Sequence, residues 1–109
     1  MSNDDPKEAV IERKVCDYAK AHGFLSYKFT SPQRRSVPDR LFISKHGVVV
    51  FIEFKRKGKK PTEGQAREIA RLKDQGVAVF VVDNVDEGKR ILGLFAVGVD
   101  ARRYCENSI

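Results

Sequence analysis

The chain has 109 residues, 41% of them apolar and 33% charged, which is the size and balance of one soluble globular domain rather than a disordered segment. No stretch approaches the roughly 20 consecutive apolar residues of a membrane helix. The acidic, polar start MSNDDPKE is not that of a secretion signal.

In chain order, the pattern predicts a helix from about residue 6 to 22. Asp5 is its expected cap, Pro6 suits its first position and Glu8 closes a capping box. Ile11, Val15, Tyr18 and Ala19 form its apolar stripe, and Gly23 ends it. Glu12 stacks with Cys16 and Ala19 at the edge of that stripe and has no capping role to explain it. FLSYKFT (24–30) reads as a strand, SPQRRSVP (31–38) as a loop and DRLFI (39–43) as a second strand. The turn SKHG (44–47) then joins it to VVVFIEFK (48–55) in an antiparallel hairpin. After the basic loop RKGKKP, Thr62 caps a second helix with Gln65 at the capping-box position, and Gly76 ends it. VAVFVV (77–82) is a β-branched run expected to be a strand buried on both faces. A third helix around 85–95 and a polar tail over 98–109 complete a single domain, with its core at about 6–95. The order α-β-β-β-α-β-α, with a helix between the last two strands, implies an α/β fold: a mixed sheet flanked by helices.

The formal net charge is +6, which alone only hints at an acidic partner. Its distribution is more informative. Arg34, Arg35, Arg40, Lys45, Lys55, Arg56, Lys57, Lys59 and Lys60 crowd into 34–60, where Asp39 and Glu53 are the only acids. Cys16 and Cys105 are far apart and lack metal-ligand spacing, so they read as the reduced thiols of a cytoplasmic protein. His22 and His46 have no carboxylate at ligand spacing and are left out of the site.

Alternation along a strand puts Glu53 and Lys55 on one face. A hairpin closed at SKHG sets Asp39 across from about residue 52 or 53. Two such carboxylates repel, and one takes up a proton unless a cation lies between them. Oxygen ligands of this kind suit Mg²⁺ or Mn²⁺ rather than zinc. Taken alone, Glu53 and Lys55 also fit an ordinary ion pair on an edge strand, with Asp39 a turn residue after Pro38. The upstream Pro38-Asp39, the short hairpin and the helical Glu12 together favour a site.

Pro38-Asp39 followed by Glu53-Phe54-Lys55 resembles the PD-(D/E)XK nuclease motif. More narrowly, RRSVPDRLFI and VVVFIEFKRKGKKPTEGQ resemble the VRR-NUC (virus-type replication-repair nuclease) family over about residues 8–92. Ser36 stands where that pattern has glycine. The resemblance implies a restriction-endonuclease-like fold in a phage or bacterial cell interior. It also implies Asp39 and Glu53 as metal ligands, joined by the Phe54 carbonyl and by Glu12, with Lys55 activating the attacking water and Gln65 lining the site. Gln65 has its capping role as the plainer explanation. Arg34, Arg35, Arg40, Lys57, Lys59 and Lys60 are the candidate DNA contacts, although a charge run is often only a solvated face.

The resulting expectation is a Mg²⁺- or Mn²⁺-dependent, structure-selective DNA endonuclease. It would act as a homodimer on branched DNA such as a Holliday junction, in replication or repair. ILGLFAV (91–97) is a candidate interface or a piece of core. A catalytically silent nucleic-acid-binding module and a restriction-type nuclease are the alternatives. RNA also stays open as a substrate.

Overall fold

The computed structural model describes residues 7–34 and 36–97. The expected Asp5 cap, Arg35 and the 98–109 tail lie outside the described residues. The elements are α1 (Glu8–Ala21), β1 (Leu25–Lys28), β2 (Arg40–Ile43), β3 (Val49–Phe54), α2 (Glu63–Asp74), β4 (Ala78–Val82) and α3 (Val85–Ala96). The sheet runs β1-β2-β3-β4. Its first three strands are antiparallel and β4 is parallel to β3, as the intervening helix α2 requires.

The turn between β2 and β3 is made by Ser44. Its hydroxyl accepts the N–H groups of His46 and Val48 at 3.1 and 3.2 Å, and Gly47 takes the left-handed φ of 78° that closes it. This short turn leaves little freedom in register, and Arg40 pairs with Ile52.

The core lies between one face of the sheet and the helix pair α1 and α3. Ile11, Val15 and Ala19 meet Ile91, Leu92 and Phe95 above Phe42, Val50, Ile52, Phe54, Phe80 and Val82. The helices cross closely because Gly88 has no side chain: a Cβ there would lie 2.6 Å from Val15 Cγ2. The segment 91–97 is therefore core in its centre, since Ile91, Leu92 and Phe95 are buried.

The opposite face is covered by α2, which packs on β4. Leu25, Tyr27 and Val49 on this face remain exposed. Val81 is 38% exposed, so β4 is not buried on both faces as its composition suggested. It is an edge strand in the described sheet, and α2 shields Val79 better than Val81.

Candidate active site

Extending the β2–β3 register by one residue sets Asp39 opposite Glu53. Asp39 is fixed at both ends. Its carbonyl accepts the Phe29 N–H at 2.9 Å, and its Oδ2 accepts the Phe54 N–H at 2.9 Å. Glu53 is only 2% exposed. Its Oε2 accepts a hydrogen bond from Gln65 Nε2 at 2.9 Å and lies 3.4 Å from Lys55 Nζ. Gln65 has two jobs at once. Its Oε1 accepts the Thr62 N–H at 2.9 Å while Thr62 Oγ1 accepts the Gln65 N–H, completing the α2 capping box. The amide nitrogen left over reaches Glu53.

Burial and the neighbouring Asp39 charge push Glu53 up to about 7, against the pull of Lys55. Burial also raises Asp39 above the usual carboxylate range, opposed by the Phe54 N–H and assisted by Glu12. The two acids thus crowd each other, as the hairpin reading anticipated.

The first helix departs from expectation. Helix α1 begins at Glu8, and Lys7 at the cap position offers no side-chain bond, so Glu8 closes no capping box in the described residues. Burial raises Glu8 above its ordinary value, and repulsion from Asp39 adds to this. Glu8 in turn raises Glu53. Glu8 therefore shares the electrostatic neighbourhood of the acid pair, and sequence reasoning missed it by giving it a capping role. The available signal was its position one turn before Glu12, on the same side of the helix.

Glu12 has other partners. Its Oε2 accepts from Arg40 Nε at 2.6 Å and lies 3.6 Å from Lys28 Nζ, tying α1 to β1 and β2. The contact joins an expected metal ligand to an expected DNA contact, through Oε2 of one and Nε of the other.

Among the described residues, no three His, Cys, Asp or Glu side chains converge as a metal cluster. The donors that do face each other are Asp39 and Glu53. Their described side-chain bonds engage only Oδ2 of one and Oε2 of the other. Two carboxylates suit Mg²⁺ or Mn²⁺, which completes its shell with water and substrate phosphate rather than with an all-protein cage. The mutual repulsion raising Glu53 is what such an ion would relieve, so these residues fit the implied metal.

The described candidate DNA contacts fall into two groups. Lys57, Lys59 and Lys60 are exposed on the loop after β3. That loop is anchored rather than free: Gly58, at φ 82°, donates its N–H to Asp83 Oδ2 at 3.1 Å. In the second group, Arg34 lines a cleft of about 230 Å³ together with Lys28 and Asp39. His22 is engaged at the C-terminal cap of α1, with its ring stacked on Tyr18 and its Nδ1 2.8 Å from the Tyr18 carbonyl.

No family profile matches the chain. Among curated proteins, "Putative nuclease p44" of Acyrthosiphon pisum secondary endosymbiont phage 1 is 44% identical over 80 residues, which is 73% of this chain and 86% of that protein. A solved structure titled "VRR_NUC domain" superposes with a TM-score of 0.74 at 30% identity, covering 79% of this chain and 94% of that one. A second, titled "VRR_NUC domain protein", shares the fold with a TM-score of 0.70 at 15% identity, over 84% of this chain and 91% of the other. With the acid pair, the lysine and the glutamine set on this fold, the chain belongs to the VRR-NUC family.

Proposed function

We propose that the chain is a metal-dependent endodeoxyribonuclease that hydrolyses phosphodiester bonds in branched DNA as a homodimer. The observation that carries this reading is Asp39 facing Glu53 with Lys55 Nζ 3.4 Å from the Glu53 carboxylate. Asp39 and Glu53 would hold Mg²⁺ or Mn²⁺, with the Phe54 carbonyl as a further oxygen. The ion's contribution is to acidify water and neutralise charge developing on the phosphate. Lys55, largely buried beside Glu53, presents its ammonium to a non-bridging phosphate oxygen and to the attacking water. Gln65 fixes the Glu53 rotamer from the start of α2. In-line attack on phosphorus breaks the P–O3′ bond, leaving a 5′-phosphate and a 3′-hydroxyl.

A four-way junction has two-fold symmetry, and two sites in a symmetric dimer match its paired cuts. Because Ile91, Leu92 and Phe95 are buried in the core, such a dimer uses another surface than these residues.

The test is incubation of the purified protein with labelled junction, flap, splayed and linear DNA, with Mg²⁺, Mn²⁺ or EDTA. Cleavage is expected with either metal and none with EDTA. Asp39→Ala, Glu53→Ala and Lys55→Ala should each lose at least about a hundredfold in rate. Full activity in any of these folded variants overturns the assignment. Wild-type binding without cleavage of any substrate would support the silent module instead.

A further inference from the structure

Beside the acid pair lies a second charged cleft that the chemistry above does not use. We propose that Arg34, Arg67 and Arg71 form a subsite for a backbone phosphate of the bound DNA, on the strand next to the scissile bond. This rests on the nuclease reading and assigns to it residues of α2 that the motif does not contain.

The cleft encloses about 280 Å³ between the loop before β2 and the outer face of α2. Gly64, Arg67, Glu68 and Arg71 are spaced by three and four residues and share one side of the helix. Glu68 is an acid buried to 8% exposure within this basic group. Its Oε1 lies 3.4 Å from Arg34 Nη1 and 3.3 Å from Arg71 Nε. One carboxylate oxygen thus orients two guanidinium groups. Each guanidinium has five N–H donors, so a single shared contact leaves most of them for another acceptor. Three cations against one buried acid leave a net charge of +2. The remaining acid, Glu63, is 96% exposed and 3.8 Å from Arg67, where solvent screens it.

This differs from an ordinary solvated helix face, in which ion pairs lie in water along one helix. Here a buried carboxylate joins α2 to a separate loop and orients the guanidinium forks of Arg34 and Arg71, as bidentate phosphate recognition requires. Gly64 permits the approach, since a Cβ there would come within 2.9 Å of Ser36 Oγ.

Position connects the cleft to the acid pair. Arg34 lines both this cleft and the one containing Asp39. Gln65, which contacts Glu53, immediately follows Gly64 on α2. A strand with one phosphate at Asp39 and Glu53 therefore passes Arg34 and brings a neighbouring phosphate to Arg67 and Arg71.

The test is fluorescence anisotropy of a labelled DNA duplex and a four-way junction, in EDTA to prevent cleavage and over a series of salt concentrations. Arg67→Ala should bind about fivefold more weakly, and Arg67→Ala/Arg71→Ala about twentyfold. The slope of log affinity against log salt should shrink by about 0.9 for each phosphate that the variant no longer neutralises. With Mg²⁺ present, the loss of cleavage should fall on KM. Arg71→Ala withdraws a partner from buried Glu68, so melting curves accompany each variant. Arg67 is 74% exposed and its ion pair is with exposed Glu63, so its variant reports on the cleft even if the double variant does not fold. Wild-type affinity and salt slope in folded Arg67→Ala overturn the subsite while the nuclease reading stands. A wild-type protein that neither binds nor cleaves DNA overturns both.

Discussion

Glu53 combines nearly complete burial with a second acid across the hairpin, and protonation is its way out. Its folded pKa, about 7, lies above the ordinary 4.5. The folded state therefore holds this proton more tightly than the unfolded chain, and stability falls as pH rises through that interval. Across the whole window the effect is on the order of 3 kcal/mol. In EDTA, the melting temperature should drop between about pH 5 and pH 8. Glu53→Gln should flatten that dependence, and Mg²⁺ should raise the wild-type melting temperature at the alkaline end. A melting temperature that rises with pH across this range would contradict the assignment. The conflict itself was legible in VVVFIEFK, because two charges on an apolar strand demand an explanation. The choice between Glu8 and Glu12 was not legible. Both lie on one side of α1 and both add repulsion at the acid pair, Glu8 on Glu53 and Glu12 on Asp39, which depends on where the helix crosses the sheet.

The β2–β3 hairpin was readable to within a residue. The Ser44 turn is short, and a slip by one would place the Val50, Ile52 and Phe54 side chains on the wrong face. The second helix was equally readable from Thr62 and Gln65, whose capping bonds are local. Two features were hidden because they belong to contacts between elements. One is the incomplete cover of β4, set by where α2 docks. The other is the close crossing of α1 and α3 at Gly88. Gly88→Ala would gain about 1 kcal/mol in helix propensity, but the added methyl collides with Val15. Overpacking of this kind costs about 1–3 kcal/mol, so a net destabilisation is expected in urea unfolding. A stabilised variant would mean that the crossing is looser than the structure has it.

At the scale of the whole fold, two basic groups stand out among the described residues: the Lys57–Lys60 loop that follows β3 and is anchored on Asp83, and Arg34 with α2. The first group was visible in the sequence as a run. The second was not, since Arg34 and Arg71 are far apart in the chain and meet only through Glu68. Lys59→Glu/Lys60→Glu should weaken DNA binding at least about tenfold at low salt and reduce its salt dependence. Unchanged affinity would show that this loop is merely solvated.

The double use of Gln65 has a consequence for local opening. One side chain closes the first turn of α2 and also holds Glu53. Fraying of that turn therefore also withdraws one of the two described partners of the carboxylate, leaving Lys55. A ligand that immobilises Glu53 also slows exchange of the amides at the start of α2. A substitution that weakens the cap at Thr62 in turn loosens the carboxylate without touching it.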